Sequence, residues 1–192
     1  MKSDSSQAES PMVDLSDAEI IAASRKDPVR FAEIFNRHYQ EIQRYVDRRL
    51  GGDGADDIAA ETFLIAFRGR ARFDAEGSAR PWLYGIATKL VGRHRRDELR
   101  RYRALARLDT GSALEGHEER VTSAVAAADA GLGAALADLS RGDRDVLMLV
   151  ALADLSYPEV AAALGIKYGT VCSRLSRARR QIRAALEGGG HG

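Results

Sequence analysis

Two groups of residues in this 192-residue chain could do chemistry on a polyanion. The first is Lys167, Tyr168, Thr170, Ser173, Arg174 and Arg177. Most of these fall on one polar side of a helical segment, opposite an apolar stripe of Val171, Leu175, Ala178, Ile182 and Ala185. An arginine so placed can grip a guanine edge through two parallel hydrogen bonds, and hydroxyls can reach bases or phosphates. The second is a basic block from Lys89 to Arg107, with eight cations against two acids, Asp97 and Glu98. Lys167 to Arg183 holds six cations and no acid, whereas Asp109 to Asp145 holds eight acids against three arginines. Net charge is only +1, so the signal lies in its distribution. Two basic blocks separated by an acidic stretch suit two contacts with nucleic acid. Two solvated helix faces would carry the same pattern, and charge alone leaves both readings open.

Catalytic chemistry is poorly served. The one dense acidic cluster is Asp53, Asp56, Asp57 and Glu61, and a helix start explains it without a metal. Cys172 is the single cysteine, too few for an internal disulfide or a cysteine metal site. His38, His94, His117 and His191 form no spaced ligand pair. No apolar run reaches about 18 residues, so no membrane span is expected. Met1 to Ser10 is polar and lacks the apolar core of an export signal. The expectation is a cytoplasmic protein that is not an enzyme, with no cofactor and no metal.

The elements that must position these groups read as helices. Alanine, leucine, arginine and glutamate dominate, aromatics are 6%, and long β-branched runs are missing. Ser16 with Glu19 three residues on forms a capping box at the first helix. Phe31, Ile34, Phe35, His38, Tyr39, Ile42 and Tyr45 recur every three or four residues, one face of a helix ending near Gly51-Gly52. Asp56-Asp57 opens a third helix running to about Arg68, and Ser78 can cap a fourth that carries Trp82 and Leu83 into the first basic block. Ser140 caps a helix with a core of Val146, Leu147, Leu149, Val150 and Leu152. Ser156 and Glu159 form another capping box, with Pro158 in the first turn. That short helix ends at Gly165, and a three-residue turn leads into the basic helix. A short helix, a turn opened by glycine and a basic second helix make a helix-turn-helix. A plain helical hairpin with a charged face fits the same patterning.

The residues become more specific as a resemblance. Leu155-Ser156-Tyr157-Pro158-Glu159-Val160-Ala161, Gly165-Ile166, and Gly169-Thr170-Val171-Cys172-Ser173-Arg174-Leu175-Ser176-Arg177-Ala178-Arg179 look like region 4 of bacterial sigma factors. Independently, Phe31 to Val46 resembles region 2.1, and Asp57-Ile58-Ala59-Ala60-Glu61-Thr62-Phe63-Leu64 resembles region 2.2. Phe73 with Pro81-Trp82-Leu83-Tyr84-Gly85-Ile86-Ala87 resembles region 2.3, and region 2.4 follows as the basic stretch. The promoter-spanning domain of primary sigma factors has no counterpart. The chain therefore resembles the extracytoplasmic-function (group 4) RNA polymerase sigma factors of the sigma-70 family.

The resemblance implies an all-α fold of two small helical domains joined by a flexible linker. Its divisions are a disordered tail (1–11), region 2 (12–107), a linker (108–131), region 4 with its helix-turn-helix (132–187) and a Gly-rich tail (188–192). The linker's roughly 24 residues reach about 80 Å when extended. That exceeds two turns of B-DNA, about 70 Å. Region 2 would bind core polymerase through Asp57, Glu61 and Thr62, although Asp57 could equally serve only its helix N-terminus. Arg80, Trp82, Lys89, Arg93, Arg95 and Arg96 would bind the −10 element and help open it, although Trp82 could equally be core. Lys167, Tyr168, Thr170, Ser173, Arg174 and Arg177 would read the −35 element. The implied partners are core RNA polymerase and promoter DNA, and the family admits an anti-sigma factor. Three positions depart from the family pattern. Lys89 stands for a common asparagine, Cys172 for a basic residue in the recognition helix, and Ala60 for a frequent glutamine. A self-sufficient helix-turn-helix regulator is the competing reading. The helix begun by Asp56-Asp57 separates the two, since it matches a polymerase-docking pattern and has no ligand-pocket rationale.

Overall fold

The structure, a computed structural model, describes residues 15–51, 54–74, 77–108 and 124–188, with side chains to residue 101 and again from 131 to 187. The tail at 1–11, Asp53, His117, residues 109–123 of the expected linker and residues 189–192 lie outside the described residues. Within them the fold is all-helical: α1 Asp17–Ser24, α2 Phe31–Leu50, α3 Ala55–Gly69, α4 Ala79–Leu108, α5 Ala124–Asp138, α6 Arg141–Ala153, α7 Tyr157–Leu164 and α8 Tyr168–Gly188.

Local chemistry sets the helix ends. At α1 the Glu19 carboxylate accepts from the Ser16 backbone N–H at 2.8 Å, and the Glu19 N–H donates to Ser16 Oγ at 3.3 Å. This satisfies two donors that a helix start leaves unpaired. Glu159 Oε2 likewise accepts from the Ser156 N–H at 2.8 Å and hydroxyl at 2.6 Å. The Asp143 N–H donates to Ser140 Oγ at 3.2 Å, capping α6. α2 stops at Gly51 and α7 at Gly165, both left-handed (φ 75° and 64°), a conformation that costs glycine nothing.

α1 to α4 form the first half. Ile34, Ile42, Val46, Phe63, Leu83 and Val91 bury the apolar faces of α2, α3 and α4 against one another. The Tyr45 hydroxyl lies 2.8 Å from Thr88 Oγ1 and accepts from Arg49 Nη1 at 3.1 Å, fixing α2 against α4. α6, α7 and α8 form the second half around Val146, Leu149, Val160, Val171 and Leu175. On α8 the apolar stripe is buried through Ala178 and half-buried at Ile182, while Ala185 is exposed near the helix end. α5 begins at Ala124, inside the segment read as linker, and packs on α8. Its run of alanine and glycine carries little amphipathic pattern, so packing rather than periodicity defines it.

The two halves are in contact. α4 packs on α7, and α2 approaches α6. One continuous core runs from Ile20 to Leu175.

Candidate nucleic-acid interface

Gly165 and the two residues after it turn the chain from α7 into α8. Lys167, Tyr168 and Ser173 are exposed there, Tyr168 to 56%. Ser173 Oγ donates to the Thr170 carbonyl at 3.1 Å, and Thr170 is half-buried. Arg174 is half-buried, its guanidinium lying over Gly142 at the start of α6, where a methyl group would meet Nη1 at 2.8 Å. Arg177 is held more firmly. Its Nε and Nη2 donate to Asp143 Oδ2 and Oδ1, each at 2.9 Å. The Arg177 fork holds the Asp143 carboxyl below the usual carboxylate range, against the opposing effect of burial. The six predicted −35 contacts therefore divide into an outward group at the start of α8 and two arginines braced on α6. Sequence reasoning missed Asp143, whose partner lies 34 positions away.

On α4 the expected −10 residues fall on different faces, and of the six only Trp82 and Lys89 line the cleft. Trp82 is half-buried, its ring 4.9 Å from that of Phe73. Trp82, Ile86 and Lys89 line a cleft of about 440 Å³ with Phe73, Asp74 and Ser78 of the preceding loop. The other wall of the cleft comes from α7 and its cap, at Ala163 to Gly165. Lys89 and Arg96 are exposed, with no ion pair among the described residues. Arg93 pairs with Glu61 at 3.7 Å. Arg95 donates to the Arg49 carbonyl, and burial followed by repulsion from Arg49 and Arg144 lowers its pKa. Arg80 is committed elsewhere, since Nε donates to Glu41 at 3.0 Å and Nη2 to the Ala153 carbonyl at 2.7 Å.

The outer face of α3 carries Asp57, exposed, and Glu61, half-buried. Thr62 does not join them: it is fully buried, and its hydroxyl donates to the Ile58 carbonyl at 2.8 Å. The expectation of Thr62 as a polymerase contact is corrected on that ground. Leu64 and Ile65 instead stand exposed, to 45% and 36%. For Leu64 the signal was in the sequence: Ile58, Thr62 and Ala66 define the buried side at spacings of four, and Leu64 falls opposite it, whereas Ile65, seven residues from Ile58, lies at its edge.

Comparison with known proteins agrees with this architecture. The family described as Sigma-70 region 2 matches residues 34–111, and Sigma-70, region 4 matches residues 130–182. The ECF RNA polymerase sigma factor SigC of Mycobacterium tuberculosis is 35% identical over 158 residues, covering 77% of this chain and 78% of that protein. The sigma factor YlaC of Bacillus subtilis is 30% identical over 155 residues, covering 79% and 88%. Among solved structures, CnrH in complex with the cytosolic domain of CnrY covers 90% of this chain and 97% of its own, at 26% identity and a TM-score of 0.61. RpoE of Bartonella quintana, solved with the anti-sigma factor NepR, shares the fold at 21% identity and a TM-score of 0.58.

The chain belongs to the sigma-70 family, in its extracytoplasmic-function branch. It is a sigma factor, binding core RNA polymerase and directing initiation at promoters.

Proposed function

We propose that the work is divided among three surfaces. The outer face of α3, with Asp57, Glu61, Leu64 and Ile65, docks on core polymerase. Exposed apolar side chains rimmed by acids are the composition expected of a docking surface. The cleft beside Phe73 and Trp82 receives an unstacked base of the −10 element, while Lys89, Arg93 and Arg96 track the phosphates. The start of α8, with Lys167, Tyr168 and Ser173, enters the major groove at the −35 element, and Arg174 and Arg177 border the DNA from braced positions.

The observation that carries this reading is the exposed start of α8, with Lys167 and Tyr168, immediately after the Gly165 turn. We assign no catalytic role to the chain. The acids that could have suggested one are otherwise placed: Asp56 and Asp57 in the first turn of α3, and Glu61 against Arg93. The site of action is the cytoplasm, with the polymerase. Because CnrH was solved with a partner protein, we extend to this chain an anti-sigma partner that covers the same surfaces. Run-off transcription with purified core polymerase tests the whole reading. Promoter-specific transcripts must need the added chain, and Lys167→Ala must reduce them.

A further inference from the structure

We propose that a cavity of about 320 Å³, where α2, α4, α5 and α6 meet, binds a diphosphate group, either free as inorganic pyrophosphate or carried by a nucleotide. Its wall holds four guanidinium groups: Arg48 and Arg49 of α2, Arg95 of α4 and Arg144 of α6. Leu136 and Met148 supply apolar lining. No acid lines the cavity among the described residues.

The cations are only partly compensated. The Arg49 side chain is 4% exposed, with Nη2 donating to Asp145 Oδ1 at 2.8 Å and Nη1 to the Tyr45 hydroxyl at 3.1 Å. Its buried Nε has no hydrogen-bond partner among the described residues. Native structures rarely leave a buried donor in that condition. Asp145 is also shared with Arg141, at 3.6 Å. Arg144 donates to the carbonyls of Leu136, Ala137 and Leu139, and Arg95 to the carbonyl of Arg49. These neutral acceptors hold the guanidiniums in place without cancelling their charge. Arg48 is exposed and forms no ion pair among the described residues. The strain shows at Arg95, where burial and then repulsion from Arg49 and Arg144 lower the pKa, and Asp145 and Glu98 do not offset them.

The chemistry selects the ligand class. Guanidinium groups match phosphate oxygens through parallel charge-assisted bonds. Groups already anchored on carbonyls lose little freedom when an anion arrives. Four cations around one shared carboxylate call for an anion of more than one charge. The apolar lining keeps water from screening the attraction. The volume lies at the small end of the range for small-molecule sites, which suits a short phosphate chain.

The test is calorimetric titration of the full chain with inorganic pyrophosphate at about 150 mM salt, which screens diffuse attraction to exposed cations. One equivalent should bind. Arg48→Gln and Arg95→Gln each remove a charge-assisted hydrogen bond and should weaken binding roughly ten-fold or more. Arg48 is exposed, so its substitution keeps the fold and decides the matter if Arg95→Gln does not fold. Arg68→Gln and Arg180→Gln remove the same charge from exposed positions elsewhere and should change nothing. No binding, or an equal loss in all four variants, overturns the site. Sulfate should bind more weakly than pyrophosphate, and equal affinity overturns the choice of a diphosphate. ADP separates the sources: tighter binding than pyrophosphate supports a nucleotide, and weaker binding supports the free anion. In either case Arg48→Gln must weaken the tighter ligand, and a variant that binds it unchanged overturns the proposal.

Discussion

Arg177 on α8 and Asp143 on α6 meet through two parallel hydrogen bonds of 2.9 Å, a fork that ties the recognition helix to the first helix of its half. Arginine and carboxylate match in this geometry, which sets orientation as well as attraction. The Asp143 carboxyl lies below its ordinary value of 3.8 in the folded chain. Its contribution to stability is therefore complete above that value and disappears as pH falls through the depressed folded pKa. Asp143→Asn should lower the melting temperature at neutral pH and flatten this acid dependence. Thermal melts of both chains between about pH 2 and 7 check it.

His38 works in the opposite direction. Burial alone would lower its pKa, but Glu41 at 2.7 Å and Asp17 at 2.6 Å outweigh burial, and the net shift is upward from 6.5. The stabilisation it gives the junction of α1 and α2 is complete below 6.5. It is lost as pH rises through the raised folded pKa. His38→Gln should remove that alkaline decline, as melts between about pH 6 and 9 would show.

Much of the fold is legible because its signals are local. Ser16 with Glu19 and Ser156 with Glu159 mark helix starts, and Gly51 and Gly165 mark ends, each within a few residues. The site is legible only in part. Side chains that point outward along α4 and α8 follow from helical spacing, but their commitments do not. Arg80, Arg174 and Arg177 all engage groups far away in the chain. Thr62 satisfies itself within its own helix, on the buried side that its spacing from Ile58 and Ala66 marks. The contact of the two halves was least accessible of all. Arg49 and Asp145 are 96 positions apart, and no local pattern joins them.

Leu64 is nearly half exposed, so shortening it costs the folded chain little. If α3 docks on polymerase, burying the exposed part of that side chain is worth a little under half of full burial, about 0.7–1.4 kcal/mol. Leu64→Ala should thus weaken binding to core polymerase roughly three- to ten-fold, with a much smaller effect on melting temperature than truncation of a buried residue. Titration of labelled chain with core polymerase measures the effect.

The start of α8 separates two kinds of contact. Lys167→Ala should weaken binding of polymerase holoenzyme to −35 duplexes of any sequence and reduce the salt slope by about 1. Arg174→Ala should cost about 1–3 kcal/mol on the matched −35 element and less on a mutated one, relaxing selectivity. Competition binding at several salt concentrations distinguishes the two.

The most direct measurement is run-off transcription by purified core RNA polymerase on a library of promoter fragments, with and without this chain. Transcripts that start at defined sites only when the chain is added, sharing one −10 and one −35 sequence, are the predicted result. No transcripts, together with tight promoter binding by the chain alone, would contradict the account and mark a self-sufficient DNA-binding regulator.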